Sequence, residues 1–294
     1  MSAEQSWTIG RLLDWTTKFF QQKGIESPRL DSEVLLAHAL GCKRIDLYTR
    51  HTEEAPAQGR ERFRALVRQR IEGCPVAYLV GHKEFFSLEF EVNRAVLIPR
   101  PDSECVVIEC LRLAKSMAEP AILDMGTGSG CLAIAVAKHH KTAQVTAVDI
   151  SAEALAVASR NAAKHGVAER IRFLQSDLFA AIPAGERFDF LLSNPPYIPH
   201  EDIAQLPPGV RDYEPHQALD GGTDGFAVFD RLIAEAPRYL KPGGYLLLEI
   251  GSPQERPARE RLGRYEGYKL DKVIHDSSGH PRVLLARWQS ELAT

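Results

Sequence analysis

Gly126, Gly128 and Gly130 stand at alternate positions between the short apolar segment Ala121-Ile122-Leu123 and the apolar run Cys131-Leu132-Ala133-Ile134-Ala135-Val136-Ala137. Glycine takes positive φ without steric cost and lets the backbone approach a ligand closely. Asp124-Met125-Gly126-Thr127-Gly128-Ser129-Gly130 therefore predicts a turn from a strand into a helix whose free N–H groups meet a bulky, nucleotide-like ligand. A strand, a glycine turn and a helix in that order commit this half of the chain to an α/β fold, with ligands bound at the carboxyl ends of the strands.

The spacing argues against a dinucleotide. The dinucleotide fingerprint would place its third glycine at Cys131, and here it falls one residue earlier, at Gly130. Asp124 suits a ligand carrying an ammonium better than one carrying a pyrophosphate, because like charges repel in a partly dry cleft. The methionine moiety of S-adenosylmethionine carries such an ammonium. Downstream, Gln144-Val145-Thr146-Ala147-Val148-Asp149 predicts a second strand ending in a carboxylate placed to grip a ribose diol. Asp149 could instead cap the helix that follows, a role Ser151 fills equally well. A third strand within residues 170–179 ends in a polar turn. Asp177 is placed there to accept from an adenine amine, with Leu178 as an apolar wall beside the purine, although Asp after Ser is also ordinary turn chemistry.

Asn194-Pro195-Pro196-Tyr197 follows the apolar run Phe188-Asp189-Phe190-Leu191-Leu192-Ser193. Proline fixes its own φ and holds the preceding residue extended, so Asn194 and the Pro195 carbonyl form a rigid corner at the end of a buried strand. Asn194 Oδ1 and that carbonyl can converge on one planar –NH2 group while Tyr197 packs against its face. Pro-Pro alone would only end a strand. The flanking Asn and Tyr, with the glycine turn upstream, favour a site for an amide or an exocyclic base amine.

The rest of the chain is consistent with two domains. Residues 7–73 show helical periodicity, and residues 59–71 carry five arginines around Phe63, Leu66 and Val67. Residues 85–92 and 95–98, separated by Asn93-Arg94, predict a β-hairpin. Arg100 then lies in the proline-stiffened stretch Pro99-Arg100-Pro101-Asp102-Ser103-Glu104, either as a linker anchor or at the cofactor or substrate mouth, and Asp102 or Ser103 can cap the next helix. The boundaries read as 1–75 for a helical, substrate-docking domain, 76–101 for a hairpin linker and 102–294 for the catalytic domain. The polar stretch 198–225 reads as a functional cover, and the last two strands are close enough to pair antiparallel. No run reaches the length of a membrane span and no basic-then-apolar leader opens the chain, which leaves the cytosol as the default compartment. Five cysteines without a C-x-x-C pair argue against a disulfide framework and a structural zinc, and the ten histidines show no metal spacing. A net charge of −3 gives no general footprint for long nucleic acid.

Taken together, residues 124–130, Asp149, Asn194 to Tyr197 and Lys241-Pro242-Gly243-Gly244 resemble the seven-stranded S-adenosylmethionine-dependent methyltransferases of planar amide or amine nitrogens. More narrowly, the helical first domain, Gly81-His82-Lys83-Glu84-Phe85-Phe86, residues 98–104, Glu214-Pro215 and Asp224-Gly225 are similar to the HemK/PrmC family. The resemblance implies a seven-stranded, doubly wound, Rossmann-like sheet, joined to a small N-terminal helical domain by the hairpin. It implies methylation of the glutamine in the Gly-Gly-Gln loop of peptide chain release factors, with S-adenosylhomocysteine as product and no direct need for nucleic acid. It further implies cofactor contacts at Gly126, Thr127, Gly128, Ser129, Gly130, Asp149, Leu178 and Asn194, and substrate contacts along Asn194, Pro195, Pro196 and Tyr197. Some members carry tryptophan where Leu178 stands.

An amide nitrogen is a poor nucleophile and a sulfonium an activated donor, so the residues' expected task is alignment and electronic biasing by Asn194 and Pro195, without a general base. Three rival readings are a glutamine methyltransferase acting on a ribosomal protein, an adenine-amino DNA methyltransferase, and a translation-factor binder without catalysis. The second would need a base-flipping, basic recognition region that this chain does not supply.

Overall fold

The computed structural model describes residues 6–289, which fall into two units. The first runs to Gly81 and also takes in Pro207–Tyr213; the second comprises His82–Leu206 and the residues from Glu214 onward.

In the first unit, helices Ile9–Gln22, Pro28–Leu40 and Ala57–Ile71 are joined by the shorter Asp46–Thr49 and Val76–Val80. Thr8 caps the first by accepting from the Arg11 N–H, Pro28 opens the second, and Gly41 closes it in the left-handed region. Ile9, Leu13, Phe20, Leu35, Leu36, Leu47 and Phe63 form the core. The arginine-rich helix buries Gly59, Phe63 and Val67, and Arg70 reaches Asp31 at 2.8 Å. Gly209 backs onto Gly73, and the Tyr213 hydroxyl donates to the Glu72 carbonyl at 3.2 Å.

The second unit opens with a hairpin, β1 (His82–Phe85) and β2 (Leu88–Glu91), paired from His82↔Glu91 to Phe85↔Leu88. This corrects the expected hairpin on two counts. The turn lies at Phe86 and Ser87, not at Asn93-Arg94, and residues 95–98 form no strand. Burial decides the register: Phe85 and Phe90 pack edge to face in the core, and that gain outweighs two non-glycine residues at positive φ. Asn93 instead accepts from the Ala95 N–H in a local turn, and Val92, Val96 and Ile98 are buried. Val76–Val80, at the start of the expected linker, forms a helix that ends at Gly81 in the left-handed region.

The main sheet contains β3 (Ala121–Met125), β4 (Gln144–Asp149), β5 (Ile171–Gln175), β6 (Phe188–Ser193), β7 (Leu240–Glu249), β8 (Tyr268–His275) and β9 (Pro281–Trp288). Their order is β5-β4-β3-β6-β7-β9-β8; β5 to β7 are parallel, and β9 runs antiparallel to both neighbours. Central strands are apolar along nearly their whole length because helices cover both faces. The strand order reverses at β3, whose neighbours are β4 and β6, and ligands bind at such a switch point. Register then sets the site: Met125 pairs with Val148 and with Ser193, and Ser193 with Leu248. The glycine turn, Asp149, Asn194 and Glu249 therefore leave four neighbouring strands at one level.

Candidate active site

Above these strand ends lies a cavity of ≈ 690 Å³, within the size range of small-molecule sites. Its wall includes Gly126, Thr127, Gly128 and Ser129 from the turn, Asp149 from β4, Asp177 and Leu178 after β5, and Asn194, Pro195 and Pro196 after β6.

The glycine turn folds back on β4 through Gly126 and Thr127 N–H groups that donate to the Val148 carbonyl at 2.8 and 2.9 Å. Gly128 has φ +55° and donates to Asp149 Oδ2 at 2.8 Å; a Cβ there would meet no protein atom within 4 Å, so the backbone lies open to the cavity. Gly130 serves packing instead. Its φ is +82°, and a Cβ would lie 2.8 Å from Ile134 Cδ1 and 3.1 Å from Ala158 Cβ.

Asp149 Oδ1 accepts from the Ser151 N–H at 2.9 Å, while Ser151 Oγ accepts from the Ala154 N–H at 3.1 Å. Ser151 is thus the helix cap. Asp149, pushed up by burial but held back by backbone N–H donors, keeps a second lone pair on each oxygen toward the cavity. Leu178 sits on the wall at φ +49°. Asp177 is on the wall too, but its carboxylate pairs with Arg231 at 3.0 Å.

Asn194 Nδ2 donates to Ser103 Oγ at 3.2 Å, which leaves Oδ1 to face away from Ser103. Among the described residues, nothing donates to Asn194 Oδ1 or to the Pro195 carbonyl. Ser193 Oγ ties the base of this corner to the Met125 carbonyl at 2.7 Å. Arg100 lines the cavity and pairs with Glu214 at 2.5 Å. Glu214 is 4 % exposed and also accepts from the Ile98 N–H at 3.2 Å.

Three expected residues lie off the wall. Asp124 is fully buried beneath the turn, where Oδ2 accepts from Thr127 Oγ1 at 2.6 Å and from the Ala133 N–H at 3.2 Å. Burial raises its carboxyl to about 6 and its Oδ1 is unpartnered, so it braces the turn rather than facing a ligand. Gly130 lies behind the turn. Tyr197 also sits outside the wall, its phenol pushed up to about 12 by burial and the Glu249 carboxylate, so it stays neutral.

Ser103, Glu214, Arg231 and Glu249 belong to this region and were not foreseen in these roles. Ser103, expected as a possible helix cap, makes no capping bond. Among the described residues, no cluster of His, Cys, Asp and Glu could hold a metal.

Two family models match the chain: the PrmC N-terminal domain over residues 11–81 and the methyltransferase small domain over residues 105–206. The chain is 45 % identical over 288 residues to the release factor glutamine methyltransferase of Rhodopirellula baltica, covering 96 % of this chain and 97 % of that one. It is 44 % identical over 283 residues to that of Geobacter sulfurreducens, with the same coverage. Among solved structures, the hMettl16 catalytic domain shares the fold, with a TM-score of 0.55 at 15 % identity over 76 % of this chain and 81 % of that chain. With such identity over nearly the whole length, the chain belongs to the release factor glutamine methyltransferase family.

Proposed function

We propose that this protein transfers the methyl group of S-adenosylmethionine to the side-chain amide nitrogen of the glutamine in the Gly-Gly-Gln loop of peptide chain release factors. Two oxygens without intramolecular donors, Asn194 Oδ1 and the Pro195 carbonyl, border the same cavity as the glycine turn, and that observation carries the reading. The names of the relatives support the acceptor.

The residues fit the cofactor. Gly126 and Gly128 leave open space where side chains would stand, Asp149 keeps lone pairs for a diol, and Leu178 offers an apolar face. When bound, S-adenosylmethionine supplies a methyl group on a positively charged sulfur. Asn194 Oδ1 and the Pro195 carbonyl accept the two amide hydrogens of the glutamine, which draws electron density onto its nitrogen and fixes its direction. Pro196 stiffens the corner, and Tyr197 follows it off the cavity wall with a neutral, buried phenol. Arg100, anchored by Glu214, lines the substrate side. The product amide releases its extra proton to water. No helix among the described residues is long and apolar enough to cross a membrane, which suits action in the cytoplasm on a translation factor.

The test is incubation with labelled S-adenosylmethionine and either a release factor or a ribosomal protein, followed by mass mapping of the modified residue. Label is expected on the Gly-Gly-Gln glutamine, and its appearance only on the ribosomal protein overturns the reading. Asn194→Ala should lower kcat on the order of a hundredfold, the scale of a lost transition-state hydrogen bond, with cofactor affinity by calorimetry little changed.

A further inference from the structure

Ser193 pairs with Leu248, so Asn194 and Glu249 emerge side by side from β6 and β7. Glu249 is 2 % exposed, and its Oε2 has no hydrogen-bond partner. The Ser103 hydroxyl lies near the same carboxyl group and lowers its proton affinity, as a donor does. Ser103, also 2 % exposed, is in turn the acceptor for Asn194 Nδ2. One hydroxyl thus stands between a buried acid and the amide at the centre of the proposed site.

The direction of this chain follows from its donors. An ionised carboxylate has no proton to give, so Ser103 must point its only hydrogen at Glu249. Its oxygen then shows Asn194 lone pairs alone. An amide facing lone pairs turns its –NH2 toward them, and its oxygen is left to face the other way, into the cavity.

Glu249 is not held there as an ion-pair partner. The nearby cations are committed elsewhere: Arg282 to Asp102 and Asp276 at 2.8 Å each, and Arg100 to Glu214. A buried acid with one oxygen unpaired and no cation on it opposes folding.

We propose that Glu249 and Ser103 are positioning residues that set the orientation of the Asn194 amide, the ionised carboxylate selecting the arrangement in which Oδ1 faces the acceptor glutamine. The inference rests on the reading of Asn194 given above. Protonation undoes the selection, because a neutral Glu249 can donate to Ser103 Oγ, which frees the Ser103 hydrogen to attract Oδ1 inward. The charged and titratable groups facing Glu249 are Asp102, Arg100, Arg282, Tyr197, Cys105 and Cys131. Burial dominates them and raises the Glu249 carboxyl to about 7, with Asp102 adding to the rise and the two arginines opposing it.

Two measurements test this. In the full-length chain without substrate, the Asn194 side-chain amide resonance, followed by NMR, should shift with pH around 7, and Glu249→Gln should abolish the shift. In turnover with S-adenosylmethionine and a release factor, wild-type kcat should rise as pH increases through about 7. Glu249→Gln should flatten that limb and lower kcat at pH 8 by about tenfold, equivalent to ~1.4 kcal/mol, with cofactor affinity retained. Ser103→Ala should behave alike, and Ser103→Thr, which keeps the hydroxyl, should restore most of the rate. A Glu249→Gln enzyme with the wild-type acid limb, or a Ser103→Thr enzyme no better than Ser103→Ala, overturns the proposal while leaving the activity assignment intact. Full activity in Asn194→Ala overturns both.

Discussion

Asp149 shows how much one side chain can be asked to do. Its two oxygens already accept from the Gly128 and Ser151 N–H groups, so Asp149→Asn would point an –NH2 at a backbone donor as well as remove the charge. Affinity for S-adenosylmethionine should fall on the order of tenfold or more, readable by calorimetry, since hydrogen bonds to charged groups are worth about 1.5–3 kcal/mol. Asp149 and Asn194 were legible in the sequence because each ends an apolar run, and a polar residue there must meet either water or a ligand. Asp124 misled for a related reason: it stands next to glycines, but it still belongs to β3, a central strand buried on both faces, so its side chain is enclosed whichever face it takes. Ser103 and Glu249 were invisible as partners because 146 positions separate them, and only the pairing of β6 with β7 brings Glu249 beside Asn194.

At the scale of elements, the glycine turn was readable and the hairpin was not. The turn carries its geometry in its residues. Gly130→Ala should cost about 2 kcal/mol or more in denaturant unfolding, from strain at φ +82° added to the clash with Ile134 and Ala158. The hairpin carries its geometry in distant packing. Asn93-Arg94 is the better local turn, yet the chain turns at Phe86 and Ser87, at φ +52° and +58°, because Phe85 and Phe90 need the core. Ser87 therefore bears strain that glycine would relieve. Ser87→Gly should raise unfolding free energy by about 0.5–1 kcal/mol, the left-handed penalty less the greater freedom of glycine in the unfolded chain; a decrease would count against this turn.

For the whole molecule, the buried acids set the pH response. Asp124 rises from 3.8 to about 6 and Glu249 from 4.5 to about 7. Each holds its proton in the folded chain at pH values where the unfolded chain has released it. Their stabilising contribution is complete below the unfolded values and is lost as pH climbs through the folded ones. Between pH 4.5 and 7, Glu249 alone should withdraw about 3 kcal/mol, at 1.36 kcal/mol per unit. The stability of wild type relative to Glu249→Gln should fall across that window in chemical denaturation at stepped pH. The two-part organisation and the parallel sheet could be read from periodicity and alternation. The membership of Pro207–Tyr213 could not, since seven polar and proline-rich residues inside a long loop carry no sign of which core they join. That detour means the polypeptide passes from one unit to the other three times, at residues 81–82, 206–207 and 213–214. A single cut cannot separate them: a fragment beginning at His82 would keep a seven-residue orphan bereft of its helices, tethered directly to the glutamate that steadies Arg100.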